Sequence, residues 1–269
     1  MKKLKMYLPF TFNTFQMLLS YKANVIIFMM GEWLMLMVSF FLWKAIFASS
    51  PDQILNGFTL EEMYAYIMFS FLTGLMTSVD ISFDISREVK DGTIAINLIR
   101  PISYEMRMLF QALGGVLYNF IVIFVAAFLV VNVLLYQSTG ILYIQQLPLF
   151  ALSLGIGLMI NFYFSYTFGL LSFKVTNMWG VSQIMGALSQ LLSGALIPLV
   201  FFPELVQKII QVLPFSSIIY TPVMIYLGKL SLENTVYFIL LQLFWLMAMV
   251  LLSRTVWKAV VKSLTILGG

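Results

Sequence analysis

From Met108 to Phe173 the chain carries no charged residue. No water-soluble fold buries an uninterrupted stretch of that length, whereas crossing a bilayer takes about 20 apolar residues per helix. The stretch therefore reads as two membrane-spanning helices joined by a polar but uncharged turn, QSTGILYIQ. The composition agrees: 61% of residues are hydrophobic and 10% charged, against roughly 45–50% and about 25% in ordinary globular chains. Cysteine and histidine are both absent. That removes disulfides, Cys/His zinc or haem sites, Ser–His–Asp and Cys–His catalysis, and imidazole proton relays. The net charge of +4 reads as basic flanks beside a membrane, not as a nucleic-acid footprint.

Against this apolar background one segment stands out. Residues 80–107, DISFDISREVKDGTIAINLIRPISYEMR, hold Asp80, Asp84, Arg87, Glu88, Lys90, Asp91, Arg100, Glu105 and Arg107. Ile85, Val89, Ile96 and Ile99 recur at near-helical spacing, which sets an apolar stripe beside the charges. Gly92 is placed to end a first short helix and Thr93 to cap a second. Pro101 closes the unit, because the residue before a proline is pushed out of helical geometry. The pattern predicts helix, tight turn and helix, pressed against a soluble partner. The alternative is a plain solvated loop between spans.

Six spans are expected: 25–43, 63–79, 108–135, 147–173, 181–202 and 236–252. Residues 1–22 precede them, with Lys2, Lys3 and Lys5 ahead of Phe12, Phe15, Leu19 and Lys22 at helical spacing. They read as an amphipathic helix lying in the membrane interface near anionic headgroups. Between the last two spans, Pro198, Pro203, Pro214 and Pro222 cut the chain into apolar pieces too short to cross. Residues 203–229 read as a re-entrant or interfacial segment on the outer side, with Pro203 and Glu204 starting a helix. Twelve basic residues fall on the side of the termini and the 80–107 segment. Only Lys44, Lys208 and Lys229 fall on the other. Positive-inside places both termini and that segment in the cytoplasm.

Glu32 lies inside the first expected span, about 10 Å from its cytoplasmic end at 1.5 Å per residue. A carboxylate in a span is a candidate for the permeation route or for an interface between helices. The plainer reading is a protonated or hydrogen-bonded structural group. Asp80, Asp84 and Glu88 share one helical face, read as a hydrated surface paired with Arg87 and Lys90 rather than as a metal site. No phosphate-cradling loop exists: the only Gly-Lys pair, Gly228-Lys229, precedes Leu230. Any ATP and Mg must be bound by another chain. Glu88, Asp91, Gly92 and Ala95 partly echo the core motif of CDP-alcohol phosphotransferases. However, Ile96 stands where that motif needs arginine, and no aspartate follows Asp91.

Taken in order, these features resemble the permease subunit of ABC-2 type transporters. Arg87-Glu88, Gly92-Thr93-Ile94, Leu98, Pro101 and Ser103 are similar to that family's first cytoplasmic loop. Ser193-Gly194, Pro198, Pro203, Leu213-Pro214 and Tyr220 are similar to its signature between the fifth and sixth spans. The resemblance implies an all-α membrane protein forming a single permease domain over residues 1–269. It would have six transmembrane helices, an N-terminal interfacial helix, a cytoplasmic coupling-helix loop at 80–107 and a re-entrant helical pair on the outer side. It further implies an exporter subunit in a bacterial plasma membrane, paired with an identical or sibling permease. Separate ATPase subunits would bind at Arg87, Glu88, Gly92, Thr93, Ile96, Leu98, Arg100 and Pro101. Within that loop Ile96 and Leu98 are expected to be the apolar anchors, and Arg87, Glu88 and Arg100 the surrounding charges. Pro198, Pro203 and Pro214 would fix the outer bends. The chain itself would have no catalytic residue and no cofactor. The rival readings are an ATP-independent secondary transporter or channel and an intramembrane lipid-modifying enzyme.

Overall fold

The computed structural model describes residues 2–49, 54–79, 81–139, 143–175 and 178–262. Asp52 and Asp80 lie outside the described residues, as do parts of the 137–145 and 174–180 turns. The described residues are predominantly helical, with no strand among them. Among the described residues, five helical segments are long and apolar enough to cross a membrane: Met29–Ala48, Leu60–Lys90 (interrupted at Ser78), Tyr104–Val133, Leu147–Phe173 and Leu232–Val261.

The chain opens with a single helical turn and then α1 (Leu8–Ser20). α1 does not stand apart. It packs on α6 (Tyr104–Asn119), where Gly114 leaves room for the Thr11 carbonyl and Thr14, and the Thr11 hydroxyl donates to the Phe110 carbonyl at 2.7 Å. α2 (Lys22–Ala48) turns one stripe inward, Phe40 against Tyr64 and the buried Trp43 and Phe47, while Trp33, Leu34, Val38 and Phe41 are exposed. α3 (Leu60–Thr77) is the central span. Thr59 and Glu62 close a capping box at its start, and Met63, Tyr66, Phe69 and Leu72 are fully buried along it.

Ser78 breaks α3 with an extended backbone, ψ 109°. The carbonyls freed nearby are not left bare. The Asn119 amide donates to Leu75 O at 2.9 Å and the Asn161 amide to Thr77 O at 2.7 Å. Inside a bilayer such groups must find partners within the protein, which is why two spans each place an asparagine here. The chain resumes as α4 (Ile81–Lys90) and α5 (Ile94–Ile99). α6 then runs through one π-helical turn, Phe120–Phe124, into α7 (Val125–Thr139). α8 (Leu147–Leu170) returns beside α3, and α12 (Leu232–Val261) packs along α8. The end carrying α4 and α5 also holds α1 and the last turns of α12. We refer to it as the hairpin end.

The expected fifth span, 181–202, is not one helix. α9 (Trp179–Leu192) has 14 residues, about 21 Å at 1.5 Å per residue, short of the roughly 30 Å of a hydrocarbon core. It stops because Gly194 takes φ +79°, a left-handed conformation that ends helices, and Pro198 follows. The irregular piece is held in place by α3: the Tyr66 hydroxyl donates to Gly194 O at 2.7 Å. It reaches the far end, where the Asn56 amide donates to Val200 O at 2.9 Å.

Two short helices follow, α10 (Glu204–Val212) and α11 (Tyr220–Tyr226). Pro198 precedes a 3₁₀ turn, Pro203 immediately precedes α10, and Pro214 follows its end. Neither helix is long enough to cross. All seven residues of α11 are buried, and Tyr226 sits among Phe69, Phe128 and Phe150. Lys229 clasps the far end: its ammonium lies 2.6 Å from Glu62 and donates to Gly57 O at 2.9 Å.

Candidate functional site

The site is the α4–turn–α5 hairpin and the groups beneath it. α4 is amphipathic. Ile81, Ser82 and Ile85 are buried against α8, while Phe83, Arg87 and Lys90 are exposed. Gly92 has φ +71°, a conformation costing an L-residue about 1–2 kcal/mol, and this reverses the chain after Asp91. α5 ends at Ile99, and Arg100 before Pro101 is extended, ψ 140°, as the sequence predicts. Ser103 then caps α6 by accepting the Met106 N–H.

Thr93 does not cap α5 with its side chain. It sits in helical geometry, φ −66° and ψ −17°, not the extended conformation a capping residue takes. Its hydroxyl donates instead to Glu88 O at 3.4 Å, serving the open end of α4.

Glu88 turns inward. It follows Ile85 by three positions and lies on the buried side of α4. One guanidinium nitrogen of Arg107 stands 2.7 Å from both its oxygens. The Tyr104 hydroxyl (3.0 Å) and the Asn97 amide (2.9 Å) donate to the same carboxylate. The side chains of Arg107 and Glu88 are only 7% and 16% exposed. This one carboxylate therefore ties α4 to α5 and to α6. Arg107 also lies 4.9 Å over the Tyr104 ring, whose own ring stacks on Trp257 of α12 at 5.3 Å. Gln111 links Arg107 (3.4 Å) to Asp84 (3.0 Å). Beside them the Tyr163 hydroxyl donates to Glu105 at 2.9 Å.

The apolar residues of α5 divide by face. Ile94 is buried and Leu98 is packed against the core of this chain. Ile96 and Ile99 point away, 57% and 82% exposed. Around them Arg87, Asp91, Arg100 and Pro101 are exposed, with Arg87 paired to Asp84 at 3.0 Å. An exposed pair of that kind contributes little to folding. The structure thus brings the predicted residues into one hairpin but separates their faces: Ile96, Arg87 and Arg100 outward, Glu88 and Leu98 inward. Tyr104, Asn97, Arg107 and Trp257 were not legible as its supports. The available signal was Glu88 itself, a carboxylate in register with a buried isoleucine.

Glu32 lies on α2, half-buried, in register with Leu36, Phe40 and Trp43 on the stripe facing α3. Asp84 and Glu88 are engaged by amide and guanidinium groups, and no cluster able to hold a metal occurs among the described residues.

The inward charges of the hairpin are engaged with groups of the same chain: Glu88 with Arg107, and Asp84 with Gln111. The hairpin is a bracket: a buried ionic hub holding two isoleucines out from the end of a helical membrane bundle. The chain is a member of the ABC-2 family transporter protein family, whose profile matches residues 33–268. It is therefore a transporter membrane subunit. No curated protein matches it.

Proposed function

We propose that the chain is the permease subunit of an ATP-driven exporter. A second permease, identical or sibling, completes the translocation route, and separate ATPase subunits bind ATP and Mg. The observation that carries this reading is the outward pair Ile96 and Ile99 on a hairpin fixed from below by Glu88 and Arg107, in a chain of this family. ATP-driven closure of the ATPase subunits would push on the hairpin, and the bundle would follow. In a bacterial plasma membrane the hairpin end would face the cytoplasm. The chain would then cross six times, with α9 and the Gly194 break as the fifth crossing. α10 and α11 would form a re-entrant pair that caps the exit on the outer side, bent at Pro198, Pro203 and Pro214. The test is purification of the tagged chain in mild detergent from its own cells. A bound chain carrying a phosphate-binding loop, with hydrolysis that the permease alters, is expected. Uptake that follows an ion gradient with no ATPase bound would favour a secondary transporter instead.

Orientation has its own test. The chain has no native cysteine. A cysteine at Gln137 is expected to react with an impermeant thiol reagent added outside intact cells, and one at Arg87 to be protected. Labelling at Arg87 from outside would reverse the assignment.

Glu32 is proposed to face the bundle or a second permease. Exposing an ionised group to the bilayer centre costs about 2.5–3.5 kcal/mol on insertion scales. Glu32→Gln is expected to leave assembly and ATP-stimulated turnover of the complex at wild-type levels. Lost turnover with assembly intact would make the carboxylate part of the route.

A further inference from the structure

We infer that α8 is the rigid arm that carries movement of the hairpin to the short helices at the far end, with Gly169 and Gly157 as its two contact points. The inference rests on the reading above, in which ATP moves the hairpin.

The chain's own connection to α4 is the looser one. Ser78 interrupts helical hydrogen bonding between α3 and α4, so rotation of α4 has no continuous helix through which to enter α3. Across the bundle, α4 lies directly on α8. A Cβ at Gly169 would stand 2.9 Å from the Ser82 Cα and 2.8 Å from Ile85 Cδ1. The backbone of α4 at Ser82 therefore lies directly against α8, beside the Ile85 side chain. Ser165, one turn earlier, accepts the Ser82 N–H at 3.1 Å, one of the donors left over at the start of α4. Asn161, one turn before that, holds Thr77 O at the break itself.

The same arrangement recurs toward the other end of α8. A Cβ at Gly157 would stand 2.9 Å from Ser217 O and 3.1 Å from Ile218 O, in the bend between α10 and α11. The buried Gln242 of α12 donates to Ser217 O at 2.7 Å and accepts from the Ser153 hydroxyl at 3.0 Å, so bend, α8 and α12 are joined at one point. Gly157 and Gly169 are about 18 Å apart at 1.5 Å per residue, within one uninterrupted helix. Packed interiors of this kind transmit displacement instead of absorbing it. A third glycine of α8, Gly155, meets nothing within 4 Å and serves as the control.

The experiment uses the complex of the full chain with its ATPase, carrying an environment-sensitive fluorophore on a cysteine at the exposed Leu205 of α10. The signal is read before and after addition of ATP and Mg. The otherwise unsubstituted complex is expected to respond. If it binds no ATPase, the functional reading fails and the inference falls with it; if it binds its ATPase and hydrolyses ATP with no response at position 205, the inference alone is overturned. If it responds, Gly169→Ala and Gly157→Ala are expected to lose the response while keeping the ATPase bound and hydrolysing. Gly155→Ala is expected to keep the response. A wild-type response in both contact variants overturns the inference. A second arm avoids any folding defect from added bulk. A disulfide between cysteines replacing Ser82 and Ser165 locks α4 to α8 and is expected to preserve the response, because the two already move together. Loss of the response on oxidation, with recovery on reduction, overturns the inference as well.

Discussion

Glu88→Ala is expected to be among the most damaging single substitutions in the chain. It leaves the Arg107 guanidinium buried without its counter-charge, a change that costs about 3–5 kcal/mol where buried pairs have been broken. It also removes the acceptor shared by Tyr104 and Asn97. The penalty falls on the hairpin and not on the distant span α2, which shares none of these groups. Thermal unfolding in detergent should shift downward, and the bound ATPase should be lost before the permease itself unfolds. Arg107→Ala should act in the same direction. Replacing both, Glu88→Ala with Arg107→Ala, should cost less than the sum of the two single changes, because no unpaired charge remains buried. Additive losses in that double variant would mean that the pair does not act as one unit.

Ile99→Asp is expected to show the opposite profile. Ile99 is 82% exposed, so the substitution should leave the fold and its unfolding temperature unchanged. Truncating a central apolar anchor at an interface commonly costs about 2 kcal/mol or more, roughly 30-fold in affinity, and a buried carboxylate costs further. Ile96→Asp should behave likewise, whereas Arg87→Ala and Arg100→Ala at the rim should weaken docking less. Leu98→Ala separates the two classes. Its side chain packs on this chain's own core, so its effect should register in unfolding as well as in docking. Docking affinities of Ile99→Asp and Ile96→Asp equal to wild type would remove α5 as the docking element.

The helix–turn–helix shape of 80–107 was readable because its determinants are local. A positive φ needs a glycine, and a proline forbids helix at the preceding residue; Gly92 and Pro101 supply both. The start of α10 after Pro203 was readable for the same reason. What the sequence did not reveal depends on distant partners. Ile96 and Leu98 are two positions apart and equally apolar; only the location of α6, α8 and α12 decides which is covered. Glu88 resembled the other charges of its helix until Arg107, nineteen positions later, came to lie beside it. That 181–202 is not one continuous helix was hidden for a related reason. Average hydropathy ran through Ser193-Gly194, while the hydrogen bond from Tyr66 and the left-handed turn that end α9 leave no mark on hydropathy. Thr93 was read from its residue type, but its conformation belongs to a turn serving α4.

The central claim is that the hairpin is where an ATPase grips this permease. A photo-crosslinking residue placed at Ile99, in the otherwise native chain and in its own cells, tests it most directly. Irradiation is expected to join the permease to a chain that binds ATP through a phosphate-binding loop, and Ile99 should become protected from water-soluble labels when that chain is present. Crosslinks only to lipid, or to a second copy of the permease, with no ATP-binding chain recovered from this position, would contradict the account.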